Sequence, residues 1–335
     1  MRGGQPVQRG VRALASGRSR PRQSVPATPG IGCRGGQFGG TPSRFRLGCV
    51  VVLTPTTLRE LYYAVHGYPG SALFSDVLSP WLDEHAVGMR EMLAPLAVCG
   101  QWQRTEYVWG DLLEQAYALS RISDLLLLGF QSGLPDGAET PFAHHLHLPE
   151  HDVRVTADEY VRFFSALGMR RVEVARFDPF FHEIAAVEQS GDPEEPIEIV
   201  AEQWPCLMFG ELLFVRAGVR VRAGERHAKA GLADRSTLQE SFLRRHRPTS
   251  DGSLGWGHNS QWKTDFRRDY LTADAYRFHV DANADIDHES PFSTAELTPA
   301  ERRDLVRHRC AVTPASYLPE VEEPSADWRL TVPRN

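Results

Sequence analysis

Lysine is almost missing from this chain: of its 37 basic residues only Lys229 and Lys263 are lysine, and the rest are arginine. That bias belongs to a GC-rich genome and excludes no chemistry. Cysteine is scarce as well, with five in 335 residues. The number is odd, the positions are scattered, and no Cys-x-x-Cys pair or zinc-ligand spacing occurs, so a disulfide framework and a zinc ribbon are excluded. The thiols read as reduced, in a cytoplasmic protein. No run approaches the about eighteen apolar residues of a membrane helix; the longest candidates are 48–53 and 125–130. The nucleophile elbow Gly-x-Ser-x-Gly, the phosphate loop Gly-x-x-x-x-Gly-Lys and the zinc helix His-Glu-x-x-His are all missing, which removes three large enzyme classes. Acid is missing from residues 1–50, which hold nine Arg and no Asp, Glu or Lys. Since the whole chain is at −6, the other 285 residues carry −15. A body that acidic repels phosphate backbones and argues against nucleic-acid binding through the folded part.

What is present is enough apolar side chain, 41% of the residues, to bury a core in two or three domains. Residues 1–50 are rich in Gly, Pro, Ser and Arg without periodicity, and read as a disordered basic leader because they bury too little to offset the entropy of ordering. The same composition also fits a transit peptide, or a translation start nearer residue 50. A helical region follows over 51–132. Thr54 is a candidate cap, and Leu58, Leu61, Tyr62 and Val65 recur at helical spacing before Gly67. A second helix is expected from Ser79 and Pro80 with Trp81, Leu82, His85, Met89, Met92 and Leu93 inward, and a third over 105–128. Residues 133–152, broken by Pro135, Pro141 and Pro149, read as a linker. It carries His144, His145 and His147 with His151 beyond, but no Cys or acidic partner sits at ligand spacing, so no metal is assigned.

Residues 153–224 read as a short helix followed by β structure. Thr156 and Glu159 form a capping box, and Tyr160, Phe163, Phe164 and Leu167 form its apolar stripe. Val215, Ala217, Val219 and Val221 alternate with Arg216, Arg220 and Arg222, the period of a half-buried strand. Val153, Thr156, Phe164, Leu167, Gly168 and Met169, then Phe177, Asp178, Pro179, His182 and Glu183, follow in order the head-domain pattern of the GrpE family. The stretch 153–222 therefore resembles the nucleotide exchange factors of the DnaK chaperone. Ile184 replaces the family Ala, Cys206 and Leu207 stand where Gly-Tyr is usual, and prolines interrupt the region upstream where the family has its long dimerisation helix. The resemblance implies a β-rich head that binds a DnaK-type chaperone without a cofactor, with Phe177, Asp178, Pro179, His182 and Arg216 as the partner-binding set. On physical grounds Phe177 and Pro179 belong to the core, and Asp178 and His182 lock the turn.

Residues 225–335 read as a mixed region with capping boxes at Ser236/Gln239 and Thr298/Glu301. Between them, residues 255–270 crowd Trp256, His258, Asn259, Trp262, Asp265, Arg267, Arg268 and Asp269 together. One reading is an enzyme site with His258 and Asp265 as acid and base and Arg267 on an anion. The other is a loop anchored by its tryptophans and laced with surface ion pairs. Asp281, Asn283, Asp285 and Asp287 alternate as in a calcium loop, but Ile286 replaces the needed Gly and Phe292 the closing Glu, so an acidic turn is expected. The expectation is an α+β protein, a binding or regulatory protein with a GrpE-like head; the rival is an enzyme at 256–270.

Overall fold

The helices form where local chemistry asks for them. In the computed structural model, which describes residues 57–101, 103, 111–131, 153–234, 266–282, 284–286, 297–313 and 328–334, α1 is Leu58–His66, α2 Ser79–Leu93, α3 Asp111–Leu127, α4 Ala157–Ala166 and α5 Pro299–His308. Thr57, not Thr54, caps α1, because Glu60 stands three residues on and closes a capping box. The same box, Thr156 with Glu159 and Thr298 with Glu301, opens α4 and α5. A five-residue wider turn at Phe74–Leu78 runs straight into α2. Of the face expected on α2, Trp81 and Leu93 are buried and Leu82, Met89 and Met92 pack at the margin. The expected leader, the 133–152 linker and the helix at Ser236 lie outside the described residues.

The strands build two sheets. They are β1 Arg170–Val172, β2 His182–Gln189, β3 Glu198–Trp204, β4 Cys206–Phe209, β5 Leu212–Val215, β6 Ala217–Ala223, β7 Asp269–Leu271, β8 Ala275–Phe278, β9 Ala284–Asp285 and β10 Trp328–Pro333. The large sheet runs β1-β4-β5-β7-β8-β10-β9 and the small one β2-β6-β3. Both are mixed: β9 lies parallel to β10 and β2 parallel to β6, and the other pairs are antiparallel. The protein is α+β.

The large sheet is covered on both faces. Leu207, Phe209, Leu212 and Phe214 join α1–α4 in one core, while Cys206, Met208 and Leu213 point the other way, into a core with β6, Phe278, Leu330 and Val306 of α5. That is why β4 and β5 are continuous apolar runs rather than alternating ones. On the helical side a file of rings runs Trp81, Phe163, Phe164, Phe214 and Phe266, at centroid spacings of 5.9, 5.0, 5.3 and 5.9 Å. Strands of the segments read separately as head and C-terminal region thus share one sheet, with β5 bonded to β7.

Between β3 and β6 the chain changes sheet twice. It leaves the small sheet after Trp204 and re-enters it after Arg216, so Arg216 is the single residue between β5 and β6. The expected alternation holds from Ala217 on, with Val219 and Val221 buried and Arg220 and Arg222 exposed, but not at Arg216, which is buried. A single strand through Arg216 would keep one pleat phase; a change of sheet resets it. Trp204 marks the crossing by donating its indole Nε1 to the Arg216 carbonyl at 3.0 Å and lying over Gly218, where a Cβ would sit 2.1 Å from the ring.

Candidate functional site

Three pieces of chain that are remote in sequence meet where β5 turns into β6. The first is the 177–183 turn. Asp178 Oδ1 accepts the Phe180 N–H at 2.8 Å, and His182 Nδ1 lies 3.0 Å from the Asp178 N–H and 3.1 Å from its carbonyl oxygen. Asp178 and His182 therefore lock the turn, as expected from the residues. Pro179 is buried, and Phe177 is half-buried between two imidazoles, stacked at 5.8 Å on His182 and 5.9 Å on His308 at the end of α5. His182 is held below its usual pKa by burial, against the pull of the Asp178 backbone. His308 is pushed down to about 3 by burial and by Arg216 and Arg307. Both rings are neutral at pH 7.

The second piece is Asp269 on β7, which is fully buried. Its Oδ1 accepts Arg267 Nε at 3.2 Å and the His279 backbone N–H at 2.8 Å; its Oδ2 accepts Arg309 Nη2 at 2.6 Å and Arg216 Nη2 at 3.4 Å. Burial alone would raise the Asp269 pKa, but Arg309, Arg267, Arg216 and the His279 N–H hold it far below the ordinary carboxylate range. Arg216 is shifted down too, to about 9, by burial and then by the repulsion of Arg309. The carboxylate sees three guanidiniums, whereas Arg216, besides being buried, shares its carboxylate with two other cations.

The third piece is strained backbone. Among the described residues, the non-glycine positions at positive φ are His279 at 50° and Arg309 at 56°, and both hold Asp269. Arg309 takes the left-handed place that glycine or asparagine usually fills after a helix, at a cost of about 1–2 kcal/mol. The strain aims its guanidinium back at Asp269. Arg267 ties the same end of α5 by donating Nη2 to the Val306 carbonyl at 3.1 Å. Among the described residues the buried Nε and Nη1 of Arg216 have no hydrogen-bond partner, and a buried unmet donor costs about 1–3 kcal/mol.

Of the residues singled out from sequence, Phe177, His182, Arg216 and Arg267 converge here. Two of them do so in unexpected roles. Arg216, expected at a partner surface, is buried because the change of sheet turns it inward. Arg267, expected on a substrate anion, is buried and bonded to Asp269. The ion pairs of this stretch are interior rather than superficial: Arg268 forks onto Asp281 at 2.7 and 2.5 Å and donates to the Tyr270 hydroxyl at 3.1 Å. That pairing occupies both oxygens of the first acid in the expected acidic turn. His258 and Asp265 lie outside the described residues. His279, His308 and Arg309 were not anticipated, and a left-handed arginine after a helix carries no sequence signal that would have found it. Among the described residues no group of three or more His, Cys, Asp or Glu is placed to hold a metal ion.

Comparison with protein-family models, with curated proteins and with solved structures finds no match in any of the three.

Proposed function

We propose that the protein is a binding or regulatory protein whose contact element is the 177–183 turn, and that its partner is a DnaK-type chaperone. The observation that carries this reading is the presentation of Phe177. The ring is partly exposed and stacked on neutral His182 and His308, on a turn locked by Asp178. A rigid, partly exposed aromatic is the kind of anchor that binding surfaces use, since little entropy is lost when it docks. The ionisable groups behind it suit binding better than acid–base chemistry. Asp269 is a fixed anion and His308 a fixed neutral ring at pH 7, whereas an acid–base pair needs pKa values near the working pH. With Arg267 engaged by Asp269, the rival enzyme reading at 256–270 keeps only His258 and Asp265.

An exchange factor works by binding the open state of its partner's nucleotide cleft better than the closed one. Adding the full-length protein to nucleotide-loaded DnaK from the same organism should accelerate nucleotide release. Phe177→Ala should remove the acceleration while keeping a cooperative melt, because the ring is only half-buried. Unchanged release at saturating protein would overturn the chaperone as partner.

A further inference from the structure

The cluster around Asp269 has more N–H donors than acceptors. A guanidinium carries five N–H groups, and among the described residues Arg216 engages only Nη2, in a long 3.4 Å contact, its Nε and Nη1 being buried and unpartnered there. Arg309 repeats the pattern, donating Nη2 to the same oxygen at 2.6 Å while its buried Nε has no partner. Arg267 occupies the other oxygen. The second carboxylate whose charge reaches Arg216 is that of buried Glu183 on β2, and neighbouring His308 is neutral. Among the described residues three guanidiniums therefore face two carboxylates, in a place that water reaches only beside Arg309. The arrangement in turn holds His279 and Arg309 in strained backbone, and such strain gathers where a site must be kept in one geometry.

We propose that Arg216 and Arg309 form a binding site for a small oxyanion of the phosphate or sulfate class, held by the N–H groups that Asp269 leaves over. Planar N–H forks match an oxyanion, and its charge cancels the surplus of the cluster. Access is beside the C-terminal end of α5, since the Arg309 side chain is 20% exposed and that of Arg216 only 1%. The rest of the body works against casual anion binding, being at −15 outside residues 1–50. The bound anion ties α5 to the β5–β6 crossing and stabilises the fold by mass action. This site is independent of the chaperone reading.

The test titrates inorganic phosphate into the full-length protein by calorimetry and follows the melting temperature in parallel, with sodium chloride at matched ionic strength as the reference arm. One saturable site is expected, with a rise in melting temperature that the chloride arm does not reproduce. Arg309→Gln should weaken phosphate affinity at least tenfold, and Arg220→Gln, on the exposed side of β6, should leave it unchanged. Arg216→Met should abolish binding; if that variant does not fold, Arg309→Gln carries the test. No saturable heat, equal stabilisation by chloride, or unchanged affinity in Arg309→Gln would overturn the proposal.

Discussion

Asp269 sets the electrostatics of the interior, and its partners were chosen by geometry rather than by neighbourhood. Arg216 is 53 residues away and Arg309 is 40. Removing the carboxylate leaves the buried guanidiniums of Arg216 and Arg267 and the partly buried one of Arg309 facing one another, and breaking a buried pair costs about 3–5 kcal/mol. Asp269→Asn should lower the urea midpoint by a corresponding amount, with little change in slope. The same groups set a pH dependence. Asp269 has a depressed pKa when folded, so its contribution is complete above the free carboxylate pKa of about 4 and is lost as pH falls below it. His308 is near 3 when folded, whereas a free histidine is near about 6.5. The unfolded chain therefore takes up the proton first, and stability declines as pH falls from about 6.5 toward 3. His308→Phe keeps the stack on Phe177 and should reduce the slope of that upper part of the profile, with the remainder belonging to His182, which burial also lowers, and should leave the steeper loss below pH about 4 in place. A profile unchanged by His308→Phe would show that another group titrates in that window.

At the scale of elements, helix starts were legible and strand membership was not. The boxes Thr156/Glu159 and Thr298/Glu301 open α4 and α5 as expected, because a cap is closed within three residues of chain. On α1 the cap is Thr57 rather than the expected Thr54, because only Thr57 has a Glu three residues on. The stretch 212–221 reads as one strand with Arg216 outward, yet it is two strands in two sheets. The residues around Arg216 do not specify the change by themselves; it depends on Gly218, two residues on, meeting Trp204 across the small sheet. Gly218→Ala should accordingly be severe: the new methyl would lie 2.1 Å from the Trp204 ring, and overpacking of this kind costs about 1–3 kcal/mol or more. Thermal melting of Gly218→Ala against Gly191→Ala, whose Cβ meets nothing within 4 Å, separates this clash from the loss of glycine flexibility.

For the whole molecule, the chain divides into two units, Met1–Val51 and Val52–Asn335. A chain starting at residue 51 is expected to melt with the full-length protein within error, since so few of the first 50 residues are apolar; a drop of several degrees would show that this segment docks. The head-like stretch behaves differently. β5 is bonded to β7, and the core under β6 includes Phe278, Val306 and Leu330. A fragment of residues 153–224 alone should therefore show no cooperative unfolding by circular dichroism, whereas the unit from residue 52 onward should.

The sequence by itself determined the α+β class, the capping boxes that open α4 and α5, the inward faces of α1 and α4, and the turn locked by Asp178 and His182. Each of these rests on hydrogen bonds or periodicities spanning at most a few turns of chain. It also named Phe177, His182, Arg216 and Arg267 as residues of note. Only the tertiary structure decided that they meet, that Arg216 and Arg267 face inward, and that His308 and Arg309 complete the group. The order of the large sheet brings β7 beside β5, and the end of α5 closes over both. A charge of this kind has no local signature: whether an arginine lies in water or against a buried carboxylate is settled by which strand lies beside it, and that depends on packing across the whole unit.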